Sequence, residues 1–347
     1  MIPVIDKHQL PLMPTTEKRA RKLIETSKAT PFWKKGIFCI RLNFEPSSRN
    51  KQQIVVGIDP GSKREAYTIR SKKHTLLNIQ TETPVWVKKK VETRRNARKA
   101  RRFRKTPCRK PRFNNKSKPK LPPSTKSRWQ LKLRILDFLS KAYPITDVVF
   151  EDIKATTKKG KKSWNLNFSP LQVGKKWFCE QVKQNYKLTI KEGWETAVAR
   201  KELGLEKIKE KLSDRFEAHC VDSFTLSSFL FLDKKQPENK SILYLKPIQF
   251  HRRQLHVFNF SKGGKRKLYG GTMSLRFKRG SIVKHPKYNI CYVGGSSKGR
   301  ISLHNLETGK RLCQNSKIED LKFLSYNSFQ IRRKPFLPQD EPVGILA

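Results

Sequence analysis

A chain of 347 residues with 78 lysines and arginines against 28 aspartates and glutamates carries a formal net charge of +50. That excess suits a polyanionic partner, nucleic acid before anionic membrane, and argues against an ordinary enzyme of small acidic substrates. No apolar run approaches the roughly 20 residues of a membrane-spanning helix, residues 1–6 lack the basic-then-apolar order of a secretory signal, and the six cysteines, scattered singly without a CxxC spacing, argue for a reduced, intracellular chain with neither zinc knuckle nor disulfide framework.

Near the N-terminus, Leu10-Pro11-Leu12-Met13-Pro14 reads as an extended arm, because two prolines so close prevent a helix before residue 15. A basic helix is expected over 15–28, with Thr16 placed to cap it. A strand follows at 36–44 and a polar loop at 45–53. Ile54-Val55-Val56-Gly57-Ile58 then runs as a buried strand into Asp59, where Pro60 and Gly61 turn the chain. Strands at 65–70 and 75–80 complete a three-strand meander.

Between Lys88 and Arg128 stand nineteen lysines and arginines and one acidic residue, Glu92. Residues 88–104 contain neither proline nor glycine and read as a helix. Arg94, Arg98 and Arg101/Arg102 fall on one face, and Arg95, Lys99 and Arg102 on the next. A helix so cationic repels itself unless phosphates surround it. Prolines at 107, 111, 119, 122 and 123 make the following stretch an extended basic linker.

An amphipathic helix is expected over 129–143, burying Leu131, Ile135, Leu136 and Leu139. Residues 147–152 repeat the earlier pattern of an apolar strand ending in a carboxylate, here Glu151-Asp152. Beyond a Lys/Gly/Asn-rich loop at 154–169 come a helix at 171–185, a strand at 187–192 and a helical stretch at 195–212 interrupted at Gly204. An apolar helix at 216–232 carries His219 and Asp222. From 241 onward, alternating stretches at 273–277, 281–285, 290–293, 300–304 and 328–332 are separated by turns such as Gly294-Gly295 and Thr308-Gly309. They read as a small β-rich, barrel-like module.

Asp59 and Glu151 each end a buried strand, while His219 and Asp222, at i and i+3, share one helix face. If that helix packs at the strand tips, three carboxylates and an imidazole meet. Hard oxygen donors suit Mg²⁺, and two such ions suit in-line phosphodiester displacement. His219 fits a general acid/base role. Asp152 competes with Glu151, since period-2 alternation turns only one of the pair to the catalytic face. Glu151 is favoured because it follows the apolar run directly.

With these residues placed, the chain resembles the RuvC-type nucleases encoded by insertion sequences, the IscB/IsrB family. Gly57-Ile58-Asp59-Pro60-Gly61 is similar to the first RuvC motif and Phe150-Glu151-Asp152 to the second. His219-Cys220-Val221-Asp222-Ser223 is similar to the third, with Ser223 where alanine is expected. Residues 94–102 resemble the arginine-rich bridge helix, and Pro11-Leu12-Met13-Pro14 the motif that names the PLMP domain. Arg252-Arg253-Gln254-Leu255-His256 with Gly263-Gly264 resembles the segment before the domain that reads the target-adjacent motif. Only 67 residues separate Glu151 from His219 and none is a histidine, so no HNH nuclease is inserted there. The resemblance is therefore to the HNH-lacking, IsrB branch.

The resemblance implies an α/β, RNase H-like (RuvC) fold split by the arginine-rich helix. It places an N-terminal PLMP domain at 1–50, RuvC segments at 51–86, 128–186 and 187–240, the bridge helix at 87–105, a linker at 106–127 and a β-rich, barrel-like C-terminal domain at 241–347. It implies an RNA-guided DNA nickase in which a guide ωRNA pairs with the target strand of duplex DNA and one RuvC site cuts the displaced strand. Two Mg²⁺ ions, with Mn²⁺ able to substitute, would be held by Asp59, Glu151 and Asp222, and His219 would complete the catalytic set. Arg94, Arg95, Arg98, Arg101, Arg102, Arg104, Arg252 and Arg253 would contact RNA or DNA. One protein per RNA is expected, inside a prokaryotic cell or an organelle, with no membrane partner. Two other readings of the charge are an RNA-independent junction resolvase and a non-catalytic RNA-binding protein.

Overall fold

The computed structural model describes residues 1–103, 121–155, 169–210, 212–231, 236–247, 258–259, 264–265, 273–326 and 329–334. They fall into two units, one formed by Met1–Thr30 and Ile40–Ile242, the other by Pro31–Cys39 and Leu243–Lys334. Among the described residues no helix is long and apolar enough to cross a membrane.

The first unit opens with β1 (Ile2–Ile5), which pairs antiparallel with β2 (Pro11–Thr15). Pro11 and Pro14 do keep helix away, but the stretch is a paired strand rather than a free arm: Leu12 is buried opposite Val4. Helix α1 (Glu17–Glu25) begins at the expected cap, with Thr16 Oγ1 accepting the Arg19 N–H at 3.3 Å. The strand β3 (Ala29–Lys34), most of it in the second unit, lies where the sequence suggests no strand, while β4 (Ile37–Leu42) enters this unit at Ile40 and pairs parallel with β1 through Ile40 and Arg41.

The organising sheet follows. The strands β5 (Ile54–Asp59), β6 (Arg64–Ser71) and β7 (Thr75–Glu82) form the expected antiparallel meander, and every residue of β5 is buried. Helix α2 (Trp86–Phe103) then departs, exposed at every residue from 88 to 100. Helix α3 (Pro123–Ser140) starts earlier than its apolar face suggests, inside the stretch expected as linker. Pro122 and Pro123 occupy its N-cap and first turn, where a missing N–H costs no helical bond. The rest of that linker lies largely outside the described residues.

The strand β8 (Asp147–Glu151) lies parallel to β5, with Ile58 opposite Phe150. Helix α4 (Pro170–Lys183), capped by Ser169, leads to β9 (Lys187–Lys191), parallel to β8. Trp129, Phe150 and Phe178 pack as tilted rings between α3, β8 and α4 with centroids 5.3 to 6.1 Å apart. Helix α5 (Gly193–Glu202) stops before Gly204, whose φ of +64° cannot continue a helix, so the expected run to 212 does not form. Within this unit the strands run β7-β6-β5-β8-β9, three antiparallel and then two parallel through helical crossovers, which is the RNase H-like order.

Helix α6 (Phe216–Ser228) lies across β5 and β6. Cys220, Val221 and Phe224 join Ala66, Leu203 and Ile242 in one core cluster, and Leu226 joins Val55 and Val149 in another. Arg70 of β6, itself buried, fastens the helix: it donates to Ser228 Oγ at 2.6 Å and lies against the rings of Phe224 and Phe231.

The second unit contains β10 (Ile242–Pro247), the short pairs β11 (Phe258–Asn259) with β12 (Gly264–Lys265) and β13 (Met273–Ser274) with β14 (Phe277–Lys278), then β15 (Ser281–His285), β16 (Asn289–Ser297), β17 (Arg300–Asn305), β18 (Arg311–Ser316), β19 (Lys322–Tyr326) and β20 (Phe329–Lys334). Five of them form an antiparallel sheet, β18-β17-β16-β15-β19, over Val283, Cys291, Val293, Ile301, Leu303 and Leu321. Gly294-Gly295 is not a turn but an irregularity inside β16, where a Cβ on Gly294 would lie 2.4 Å from His304 Nε2. The expected strand at 273–277 is a tight hairpin.

Candidate active site

The parallel register of β5 and β8 sets Asp59 and Glu151 at neighbouring strand ends. Helix α6 brings His219 and Asp222 over those ends from above the sheet. His219 Nδ1 stands 3.6 Å from Asp59 Oδ2, longer than a hydrogen bond. Asp222 is only 2% exposed. The Glu151 carboxyl is pushed up to about 8, first by burial, then by the charges of Asp59 and Asp222 and by a hydrogen bond with Asp59; Lys207 pulls the other way. The structure therefore gathers all four residues in one place, all within the first unit.

Alternation along β8 separates the two adjacent carboxylates. Glu151 shares its environment with Asp59 and Asp222. Asp152 pairs instead with Lys175 of α4, and its N–H bonds to the Lys191 carbonyl at 2.7 Å.

Two cations that the sequence does not single out complete the centre. Arg200 Nη1 of α5 donates to Asp222 Oδ1 at 2.5 Å, and Lys207 pairs with the other oxygen, Oδ2. Gly193, at the start of α5, abuts the cluster from the side of Glu151: a Cβ there would lie 3.0 Å from Glu151 Oε1. Beside Asp59, the buried Glu65 of β6 pairs with Lys132 and accepts the Tyr67 hydroxyl at 2.8 Å. Burial pushes the Glu65 carboxyl up, Lys132 draws it down, and the charge of Asp59 adds to the upward push.

Three carboxylates and an imidazole are hard donors of the kind Mg²⁺ takes. Burial and then the neighbouring charges of Asp59 and Asp222 push Glu151 up, so the ionised form of this cluster favours added positive charge. Among the described residues no three such side chains converge on a single ion position in this conformation. Both oxygens of Asp222 instead face Arg200 and Lys207. The donor set fits the ion in kind, once Asp222 exchanges partners.

Residues 2–165 match the family model described as RRXRR protein. Over that span, a little under half of the chain, the sequence is similar to the RRXRR family. The matched span holds α2, Asp59 and Glu151, whereas His219 and Asp222 lie beyond it. A solved structure titled T. thermophilus RuvC in complex with Holliday junction substrate is similar at 12% identity, over 51% of this chain and 90% of that one, with a TM-score of 0.29. No curated protein matches the chain significantly.

Of the basic residues expected to touch nucleic acid, Arg94, Arg95 and Arg98 are exposed on α2, and Arg101 and Arg102 lie in its last turn. Arg104, Arg252 and Arg253 lie outside the described residues.

Proposed function

We propose that this protein is an RNA-guided DNA nickase, an endonuclease with one RuvC-type centre that cuts the displaced strand of a duplex opened by a guide ωRNA. The observation that supports the reading most is the meeting of Asp59, Glu151 and Asp222, drawn from two parallel strand ends and one helix, in a chain of net charge +50. The exposed cationic helix α2, inserted between the first and second acidic residues, supports a structured polyanion as partner. The IscB/IsrB resemblance supplies the guide and the single cut, because no HNH insertion separates Glu151 from His219.

Asp59, Glu151 and Asp222 would hold the divalent ions. Bound Mg²⁺ would supply a nucleophilic water of lowered pKa and charge stabilisation at the leaving 3′-oxygen. Arg200 and Lys207, released from Asp222, become free to bind the non-bridging oxygens of the phosphate under attack. His219 is positioned next to Asp59 to move the proton of the attacking water.

The test uses the protein with the RNA that co-purifies with it and a supercoiled plasmid carrying the matching sequence. Open circles should form with Mg²⁺ and none with EDTA. Asp59→Ala should abolish nicking and keep the RNA. Linear plasmid as the main early product, or nicking that survives Asp59→Ala, would overturn the reading, and junction cleavage by RNA-free protein would replace it.

A further inference from the structure

Helix α5 has two unlike faces. Thr196 and Leu203 are buried and Arg200 reaches Asp222, so these three point inward. On the opposite side Trp194, Val198 and Lys201 follow one another at i, i+4 and i+7. All three are exposed, Trp194 to 68% and Val198 to 49%, and no large hydrophobic residue among those described is more exposed than Trp194.

A single exposed apolar residue is ordinary on a protein surface. The address of this one is not. Gly193, directly before it in the chain, is the residue on which a Cβ would lie 3.0 Å from Glu151 Oε1. The Cα of Trp194 is therefore one Cα–Cα step, ~3.8 Å, from that of Gly193, which borders the acidic centre, and its exposed side chain leaves from the outer face of the same helix. Lys201 adds a cation to the same face, and Lys191 lies just before the helix, paired with Glu195. A flat π surface with cations around it, next to a centre that handles phosphodiesters, has the chemistry of a single-strand binding surface.

We propose that Trp194 is a stacking platform for an unpaired base of the DNA strand that the acidic centre cuts. The platform holds the nucleotide beside the scissile phosphate, with Val198 lengthening the apolar surface and Lys201 meeting the backbone. Stacking accepts any base, so the platform positions the strand without reading its sequence. The inference rests on the nuclease reading above, and its test is read separately from cutting.

The full chain is titrated in EDTA with fluorescent oligothymidylate, by anisotropy, at several salt concentrations. A second strand of equal length has abasic sites, so it offers the same phosphates without bases. Trp194→Ala should weaken binding of the intact strand roughly 5- to 100-fold. Trp194→Phe should keep most of the affinity, and the abasic strand should bind all three proteins alike. The salt slope should stay unchanged, because every cation that meets a phosphate is still in place. Equal binding of the intact strand by the parent protein and Trp194→Ala overturns the inference, as does a Trp194→Phe protein as weak as the alanine variant. If plasmid nicking depends on Asp59 while those binding contrasts are absent, the nuclease reading stands and the platform falls. If the contrasts appear and the parent protein nicks nothing, the nuclease reading is the one that fails.

Discussion

Gly57 of β5 and Ser223 of α6 meet so closely that a Cβ on Gly57 would lie 1.9 Å from the Ser223 carbonyl oxygen and 2.6 Å from the Ser227 nitrogen. The backbone of α6 thus rests directly on the strand two residues before Asp59. That approach is what carries Asp222, the neighbour of Ser223, into the acidic centre. Gly57→Ala should push the helix off the sheet and cost ~1–3 kcal/mol or more. Thermal denaturation reads the loss, and nicking should fall with it because Asp222 moves out of reach.

Ser223 stands where the resemblance expects alanine, and its hydroxyl lies 2.7 Å from Thr68 Oγ1 on β6. Ser223→Ala should cost only ~1 kcal/mol, since Thr68 keeps Asn78 as a partner at 3.0 Å. Nicking at 25 °C should be retained. A full loss of activity in a folded variant would show a role beyond packing.

Lys207 and Arg200 give Asp222 the positive charge that an ion would otherwise bring. Lys207→Gln should therefore raise the affinity for Mn²⁺, measured by calorimetry without nucleic acid, by roughly fivefold, or ~1 kcal/mol. The same variant should nick more slowly at saturating ion, because one cation no longer meets the phosphate. Unchanged Mn²⁺ affinity would show that Lys207 does not compete.

Glu151 makes the ion-free protein sensitive to pH. Its carboxyl is pushed up to about 8 from the ordinary 4.5, so the folded chain keeps a proton that the unfolded chain gives up earlier. The resulting stabilisation is complete below about 4.5 and is lost as the pH climbs toward 8. In EDTA the melting temperature of the parent protein should fall relative to that of Glu151→Gln across this window. Parallel pH profiles for the two proteins would contradict the assignment.

On α2, Arg94 and Arg98 are exposed and one turn apart. Replacing both by alanine should weaken binding of the co-purifying RNA and lower its salt slope by about 2, one for each arginine that no longer neutralises a phosphate. Filter binding at several salt concentrations checks this, and a slope left unaltered would remove the phosphates from that face.

The features legible in the sequence are those that local pattern encodes. An apolar run ending in a carboxylate marks the tip of a buried strand, and both Asp59 and Glu151 are visible that way. His219 and Asp222 are visible through their spacing on one helix. Alternation says that Glu151 and Asp152 face opposite ways, but which of them faces the centre is set by the fold. Arg200 and Lys207 give no local signal, because nothing in the chain distinguishes them from the other 76 basic residues until α5 packs on α6. The start of α3 is obscured for a different reason: five nearby prolines suggest linker, although proline at a helix's first position is a start signal. Paired glycines at 294 and 295 suggest a turn, where the real demand is room for His304 on the next strand.

The arginine-rich helix α2 leaves the meander after Asp59 has been laid down, and the chain returns through α3 to β8 with Glu151. A break anywhere between 104 and 120 would divide the protein into a piece with one acidic residue of the centre and a piece with the rest. On the nuclease function proposed above, neither half should cut by itself. Because β5 and β8 zip side by side in the same sheet, the two halves have a built-in means of finding each other, and co-expressed fragments should reconstitute one working enzyme.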